Sequence, residues 1–146
     1  MIALASDHAG FELKEHIKNR LLAWGYTVED RGCYSTESAS YVAHGELAAR
    51  DVAEGRAKFA ILVCGTGLGI SIAANKIHGV RAALCTNEYM ARMSRMHNDA
   101  NVLALGARVV GAGLAEDIVK AFLDTGFEGG RHAERVATLM DLENKP

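Results

Sequence analysis

The sequence predicts an α/β protein, a three-layer α/β/α sandwich around a five-stranded parallel, Rossmann-like sheet. Short aliphatic runs alternate along the chain with longer amphipathic segments, which is the pattern of strands joined by crossover helices. The runs at 2–5 and 59–63 are apolar without alternation, so we expect both faces of these strands to be buried. The length of 146 residues suits a single domain, 1–146, that buries most of its apolar surface.

Local signals place the elements in order along the chain. Strands are predicted at 2–5, 26–30, 59–63, 80–84 and 100–105. Helices are predicted from 11, at 45–54, from 71, at 87–96, around 114–122 and at 131–143, with a polar loop at 32–40. In the first helix Leu13, Ile17 and Leu21 form the apolar face. Lys14 is expected outside that face, and Gly25 is expected to end the helix.

The ends of two strands carry polar residues that a doubly wound sheet can bring together. Asp7 and His8 follow the first strand, and Cys64 follows the third. If the strands follow the order 2-1-3-4-5, the first and third are neighbours and their carboxyl ends face one pocket. For Asp7 the alternative is simply a cap for the first helix.

The composition excludes several classes of function. A net charge of −2 gives no basis for binding nucleic acid or a membrane surface, and no apolar stretch is long enough to span a bilayer. The three cysteines, at 33, 64 and 85, are odd in number and widely separated, which argues against a disulfide framework and a zinc knuckle. No spacing of histidines and carboxylates resembles a metal site. We therefore expect a cytoplasmic protein without a bound metal.

The most informative stretch follows the third strand, where Cys64 precedes glycines at 65, 67 and 69 and then a helix. Glycines let the backbone N–H groups approach a ligand, and a helix N-terminus adds positive potential, so the loop suits an anion and favours a thiolate. Three known anion-binding loops are excluded. The dinucleotide-binding fingerprint needs a glycine where this chain has Ile72, and the phosphatase loop needs an arginine where it has Ile70. The Walker loop needs a lysine directly after its second glycine, and none is present. The alternative is that Cys64 is a buried residue at a strand end without a chemical role.

Further candidates lie in the second half of the chain. His97 belongs to a polar cluster at 95–101 that directly precedes a buried strand. Arg131 and Arg135 are four residues apart and share one helix face, where a guanidinium fork matches phosphate oxygens and the alternative is a solvated basic edge. Arg108, just past the fifth strand, is a third candidate for the same anion.

Together these segments resemble the type B ribose-5-phosphate isomerase family, which includes allose-, galactose- and tetrose-phosphate isomerases. The resemblance rests on Ser-Asp-His-Ala-Gly at 6–10, Cys-Gly-Thr-Gly-Leu-Gly at 64–69, Ser-Ile-Ala-Ala-Asn-Lys at 71–76, His-Asn-Asp-Ala-Asn at 97–101 and Phe-Glu-Gly-Gly-Arg-His at 127–132. It implies aldose–ketose isomerisation of a phosphorylated sugar through a cis-enediol(ate), without metal or cofactor. Ribose 5-phosphate to ribulose 5-phosphate is the simplest reaction. The alternatives are a tetrose or hexose phosphate, or a non-catalytic phosphosugar-binding module.

The resemblance also implies roles for individual residues. Cys64 would be the base that moves a proton between C1 and C2, and His97 would assist opening of the sugar ring. Because an apolar Ile70 stands where one branch of the family has a catalytic glutamate, the chain resembles the cysteine branch. The other implied contacts are Thr66 and the loop N–H groups at the oxyanion, Asp7 and His8 at the reacting end, Tyr41 and Asn98 at the hydroxyls, Arg108, Arg131 and Arg135 at the phosphate, and Gly65, Gly67, Gly69 and Ser71 around the substrate.

The resemblance further implies a homodimer or homotetramer. His97 and Arg108 would face the Cys64 loop of the partner, and the C-terminal helix would pack on that partner. One segment departs from the family pattern, since Ser-Tyr-Val-Ala at 40–43, followed by His44, replaces Asp-Tyr-Pro-Asp. Two carboxylates and a proline are absent from a segment expected to be a loop beside the sugar. The preferred sugar is therefore open.

Overall fold

The computed structural model describes residues 1–146 as a five-stranded parallel sheet with six α-helices. The strands are β1 (Ile2–Ser6), β2 (Val28–Asp30), β3 (Phe59–Cys64), β4 (Ala82–Leu84) and β5 (Val102–Gly106). The helices are α1 (Phe11–Ala23), α2 (Tyr41–Ala53), α3 (Leu68–Asn75), α4 (Glu88–Asn98), α5 (Ala112–Asp124) and α6 (Arg131–Asp141), and a 3₁₀ turn at Leu142–Asn144 follows. The predicted fold class is confirmed. None of these helices is long and apolar enough to cross a membrane.

The strand order is β2-β1-β3-β5-β4, which differs in the last two strands from the order 2-1-3-4-5 considered from the sequence. Consecutive strands are often neighbours, but here the chain passes over one position after β3 and returns through α4. The burial of the two strands explains the exchange. All five residues of β5 are buried, whereas the three residues of β4 are partly exposed and suit the edge of the sheet. The expected neighbourhood of β1 and β3 holds.

Two apolar cores lie on the two faces of the sheet. Along β3, Ile61 and Val63 belong to the core under α1, α4 and α5. Ala60 and Leu62 belong to the core under α2 and α3. Because successive side chains of a strand point to opposite faces, burial on both sides requires the unbroken apolar run seen in the sequence. Each large aliphatic side chain buried in this way stabilises the fold by about 1.5–3 kcal/mol.

Lys14 lies inside the protein, contrary to its predicted position outside the apolar face of α1. Its side chain is 0% exposed, and Nζ donates to both carboxylate oxygens of Asp30 at the end of β2, at 2.7 and 2.6 Å. Lys18 also approaches Asp30, at 3.1 Å. Helical periodicity separates apolar from polar positions but cannot show that a carboxylate lies beneath a lysine. Gly25 follows the end of α1 with a positive φ of 91°, as expected.

The helix α2 begins at Tyr41 rather than at 45. Ser40 caps it, since its hydroxyl oxygen accepts the N–H groups of Val42 and Ala43 at 3.1 and 3.3 Å. The segment that departs from the family pattern is therefore the first turn of a helix and not a loop. The glycine inside this turn obscured the helix in the sequence, and a side chain at Gly45 would stand 2.8 Å from Ile70 of α3.

Replacing Asp30 with Asn tests the buried ion pair. Burial raises the pKa of Asp30, but hydrogen bonds from Lys14, the Gly32 N–H and Lys18 outweigh it and leave the pKa below its usual value. A carboxyl with a lowered pKa in the folded state stabilises the protein above its unfolded pKa of about 3.9, and this stability is lost as pH falls through the folded pKa. We expect Asp30→Asn to lower the free energy of unfolding by about 3 kcal/mol at pH 7, because it leaves Lys14 buried without a counter-charge.

Urea unfolding from pH 7 down to acid conditions measures both effects. The variant should lose less stability than the parent as the pH falls below about 4. Asp124→Asn is the matched control, since Asp124 forms an exposed pair with Lys120 and such pairs contribute about 1 kcal/mol or less. Equal losses in the two variants would contradict a structural role for the buried pair.

Candidate functional site

Cys64 ends β3 and is 4% exposed. Its Sγ accepts a hydrogen bond from the Gly67 N–H at 3.1 Å, because the glycine-rich loop turns back over the sulfur before α3 begins at Leu68. The first-turn N–H groups of Gly69 and Ile70 have no carbonyl partner, as at any helix N-terminus. The loop therefore directs partial positive charge at the sulfur and at any anion bound beside it.

The loop is fixed to the end of β5. The N–H groups of Ala107 and Arg108 donate to the carbonyls of Cys64 and Gly65, both at 2.9 Å. Gly67 has a φ of 80°, which favours glycine. A Cβ at Gly106 would stand 2.5 Å from the carbonyl oxygen of Thr66. The close approach of two backbones thus sets the path of the loop.

Asp7 and His8 lie beside this loop, as the neighbourhood of β1 and β3 predicts. The Asp7 N–H donates to the carbonyl of Val63 at 3.2 Å, and its Oδ1 accepts the Gly10 N–H at 3.0 Å. Asp7 holds the turn before α1 and is not its cap, since the cap position is Gly10 and has no side-chain bond. His8 Nδ1 lies 3.1 Å from the backbone N and 3.3 Å from the carbonyl oxygen of Ala39, so this ring nitrogen is held against the segment before α2.

Tyr41 and Arg108 cover the loop from two sides. A side chain at Gly69 would stand 2.8 Å from Cζ of Tyr41, and one at Gly65 would stand 3.2 Å from Nη1 of Arg108. Arg108 therefore lies against the Cys64 loop of its own chain, which differs from the expectation that it faces the partner's loop. The register explains this, because Gly106 and Cys64 are paired at the carboxyl edge of the sheet.

Three further polar side chains form hydrogen bonds to the backbone. The Thr66 hydroxyl oxygen accepts the Leu68 N–H at 3.2 Å, and its side chain is exposed beside the sulfur loop. Ser71 is buried and donates its hydroxyl to the carbonyl of Leu68 at 2.8 Å, so that hydroxyl is used within α3. The His44 ring nitrogen Nδ1 lies 2.9 Å from the carbonyl of Arg31 and anchors α2 to the end of β2.

A second group of predicted residues lies at the ends of α4 and α6. His97, Asn98 and Arg135 line a cavity of about 240 Å³ together with His132, and this cavity includes no residue of the Cys64 loop. His132 was given no role by the sequence, although it ends the segment 127–132 that carries part of the resemblance. Its ring stacks on His97 with centroids 4.2 Å apart and planes 11° apart. Arg131, its neighbour on α6, is exposed.

His132 is 7% exposed, and its Nε2 lies 3.5 Å from Oε2 of Glu128. Burial lowers the pKa of His132, and the nearby charges of His97 and Arg131 lower it further. The ligand atoms of His97, Glu128 and His132 lie within 4.8 Å of one another. The two rings are nearly parallel, however, so their in-plane lone pairs do not converge on one point as a tetrahedral metal requires.

The two groups lie at opposite edges of the sheet within one chain. Cys64 pairs with Gly106 at the carboxyl edge, whereas Ala60 pairs with Val102 at the amino edge. His97 precedes β5 and therefore lies toward the amino edge. Five strand residues separate the edges by roughly 15 Å at about 3.3 Å per residue.

The fold and the Cys64 loop define a class of protein, a doubly wound α/β protein with a glycine-rich loop of N–H donors at the carboxyl edge of its sheet. The sequence profile of the family described as Ribose/Galactose Isomerase matches residues 2–139. The chain belongs to this family.

Individual relatives resemble the chain over nearly its whole length. The ribose-5-phosphate isomerase B of Escherichia coli is 48% identical over 144 residues, which cover 99% of this chain and 97% of that protein. A Pectobacterium atrosepticum protein named D-erythrulose-4-phosphate isomerase is 43% identical over 145 residues, covering 99% and 95%. The structure of Clostridium thermocellum ribose-5-phosphate isomerase B is 54% identical with a TM-score of 0.97, covering 98% and 97%. The similarity thus includes both groups of candidate residues.

Proposed function

We propose that this protein, an aldose–ketose isomerase of phosphorylated sugars, interconverts ribose 5-phosphate and ribulose 5-phosphate with Cys64 as the base. The observation that carries the chemistry is the sulfur of Cys64 within a loop of N–H donors. Relatives named ribose-5-phosphate isomerase B, similar over nearly the whole chain, support the sugar. We also place the enzyme in the cytoplasm.

The reaction moves one proton along the sugar. The Cys64 thiolate takes the proton from C2 of the open-chain aldose, and the electrons of that bond form the C1–C2 double bond while O1 becomes an oxyanion. The sulfur then returns the proton to C1, and the hydroxyl proton of O2 passes to O1 as C2 becomes the carbonyl. The N–H groups of Gly69 and Ile70 and the exposed Thr66 stabilise the oxyanion, a contribution of about 3 kcal/mol for a well-placed donor.

The remaining groups come from a second copy of the chain. His97 and Asn98 are the last residues of α4, toward the edge opposite to Cys64, and Arg135 of α6 lines the cavity beside them. The separation of this group, with its neighbour Arg131, from the Cys64 loop supports a site shared between two chains. Arg108 acts with the loop of its own chain, where its side chain already lies. The exposed side chains of Val42 and Ile72 line an apolar cavity of about 390 Å³ next to Tyr41, a surface suited to burial in a homodimer. In such a dimer, α6 of one chain would bring Arg131 and Arg135 to the phosphate of the sugar bound at the partner's Cys64 loop.

A tetrose phosphate is the second candidate substrate. The relative named for erythrulose 4-phosphate favours it, at an identity close to that of the other relatives. A binding module without catalysis is disfavoured, because binding alone does not need a thiol beneath N–H donors.

Replacing Cys64 with Ala tests the base. We expect kcat for ribose 5-phosphate to fall by roughly 10²–10⁴, the usual contribution of acid–base catalysis, while affinity for the competing ligand inorganic phosphate stays nearly unchanged. Exchange of the C2 hydrogen with deuterated water should stop as well. Cys85→Ala is the control, because burial raises the pKa of Cys85 to about 11 and it should affect stability alone. A Cys64→Ala enzyme that keeps more than about a tenth of kcat would refute the assignment.

Mixing inactive subunits tests the shared site. Equimolar Cys64→Ala and His97→Asn chains should recover roughly a quarter of wild-type activity, since half of the dimers are mixed and each has one intact site. Cys64→Ala mixed with Arg108→Ala should recover none, because Arg108 lies on the same chain as the loop it serves. Subunit exchange is verified by native mass spectrometry. No recovery in the first mixture would show that each site lies within one chain.

The triple variant Ser40→Asp, Val42→Pro, Ala43→Asp tests the segment that departs from the family pattern. Ser40 already caps α2, so an aspartate there repeats an existing function. We expect the ratio of kcat/KM for ribose 5-phosphate and erythrose 4-phosphate to change by less than about threefold, with no gain in thermal stability, because proline at position 42 removes the N–H that donates to the cap. A change of tenfold or more would instead make this turn a determinant of sugar choice.

A further inference from the structure

His132 is a buried histidine for which the proposed reaction has no use. The other five histidines of the chain are partly or fully exposed. His132 is the second residue of α6, and its ring lies flat against His97 at a centroid distance of 4.2 Å. A solvated histidine would not need another ring against its face. The buried, stacked position of His132 therefore calls for an explanation.

The position of His132 is fixed from α4. The N–H of Glu128 donates to the carbonyl of Met96 at 3.1 Å, which ties the segment before α6 to the residue next to His97. The carboxylate of the same Glu128 lies 3.5 Å from Nε2 of His132. The two contacts orient the His132 ring relative to the helix that carries His97.

We propose that His132 is a positioning residue for opening of the sugar ring, and that its ring face holds the imidazole of His97 in the orientation that transfers the proton. The proposal rests on the role of His97 in the proposed function. Ring opening moves the proton of the C1 hydroxyl to the ring oxygen O4, while the C1–O4 bond breaks and the C1 carbonyl forms. His97 carries that proton between the two oxygens.

The electrostatics of the pair suit this task. Burial lowers the pKa of His132, and the neighbouring charges of His97 and Arg131 lower it further, which disfavours a charge on this ring. A neutral aromatic face stabilises a cation stacked on it, whereas two imidazolium rings 4.2 Å apart would repel each other. Glu128 approaches His132 from the segment before α6, and Arg135 lines the shared cavity.

A substrate that cannot form a ring separates this role from a structural one. Erythrose 4-phosphate cannot close a furanose because its O4 carries the phosphate, so it reaches Cys64 without ring opening. It retains the phosphate group and the same reaction at C1 and C2. Loosening of α6, which carries Arg131 and Arg135, would lower turnover of both substrates alike. Loss of ring opening lowers turnover of ribose 5-phosphate alone.

We expect His132→Ala to lower kcat/KM for ribose 5-phosphate by about 10–100-fold, a part of the usual acid–base contribution, and that for erythrose 4-phosphate by less than about threefold. His132→Phe keeps an aromatic face and should restore most of the ratio. His16→Ala is the matched control, since His16 also lies beside a carboxylate, Glu116, but is 39% exposed and away from the site. It should change neither value.

A second open-chain probe confirms the result within the natural reaction. Ribulose 5-phosphate cannot close a furanose because its O5 is phosphorylated, so exchange of its C1 hydrogen with deuterated water should survive in His132→Ala. Should that variant fail to fold in a thermal melt, His132→Gln keeps a polar contact with Glu128 but lacks the ring and answers the same question.

Equal losses for the two aldoses, or no loss for either, would overturn the proposal. The proposal would also be overturned if His132→Phe lost kcat/KM for ribose 5-phosphate, relative to erythrose 4-phosphate, as strongly as His132→Ala does. An aromatic ring face at this position would then be irrelevant. Failure of the underlying function is distinguished by His97→Asn. If that variant affects both aldoses equally, the role of His97 in ring opening is wrong whatever His132 does.

Discussion

The contact between the Cys64 loop and the end of β5 is the constraint on which the site depends. Gly106 leaves no room for a Cβ beneath the Thr66 carbonyl, and the neighbouring N–H groups bind the carbonyls of Cys64 and Gly65. This backbone packing holds the sulfur against the Gly67 N–H and starts α3 at the correct angle. The placement of β5 beside β3 therefore sets the path of the loop as well as the core, and it also brings Arg108 to the loop.

A parallel sheet places residues that precede its strands at one edge and residues that come after its strands at the other. Cys64 lies at the end of β3 and His97 lies before β5, so the halves of the proposed site are at opposite edges of each monomer. The net charge of −2 does not attract a phosphorylated sugar, so the proposed site relies on local arginines at the two edges. In the proposed assembly both requirements are met together, because a second copy brings the arginines of α6 to the thiol of the first.

Side chains that the sequence presents as simple surface residues hold the structure from within. Lys14 is a polar position of an amphipathic helix, yet it lies buried against Asp30. His44 joins α2 to the end of β2, and His132 stacks on His97. Each is an amphipathic or polar residue whose partner is distant in sequence, so no local pattern reports the contact. Ser40 is the opposite case, a cap whose partners are two and three residues away but which the following glycine concealed.

The sequence by itself determined the α/β class, the buried strands and the position of the glycine-rich loop after Cys64, because hydrophobic periodicity and glycine spacing act over a few residues. It also placed Asp7 and His8 beside that loop, since β1 and β3 are adjacent in the common doubly wound orders. Only the tertiary structure decided that β5 lies between β3 and β4, that Arg108 lies against the loop of its own chain and that His97 stacks on His132. Local sequence preferences are nearly the same for the alternative strand orders and side-chain positions. The burial of strands and side chains against partners distant in sequence selects among them.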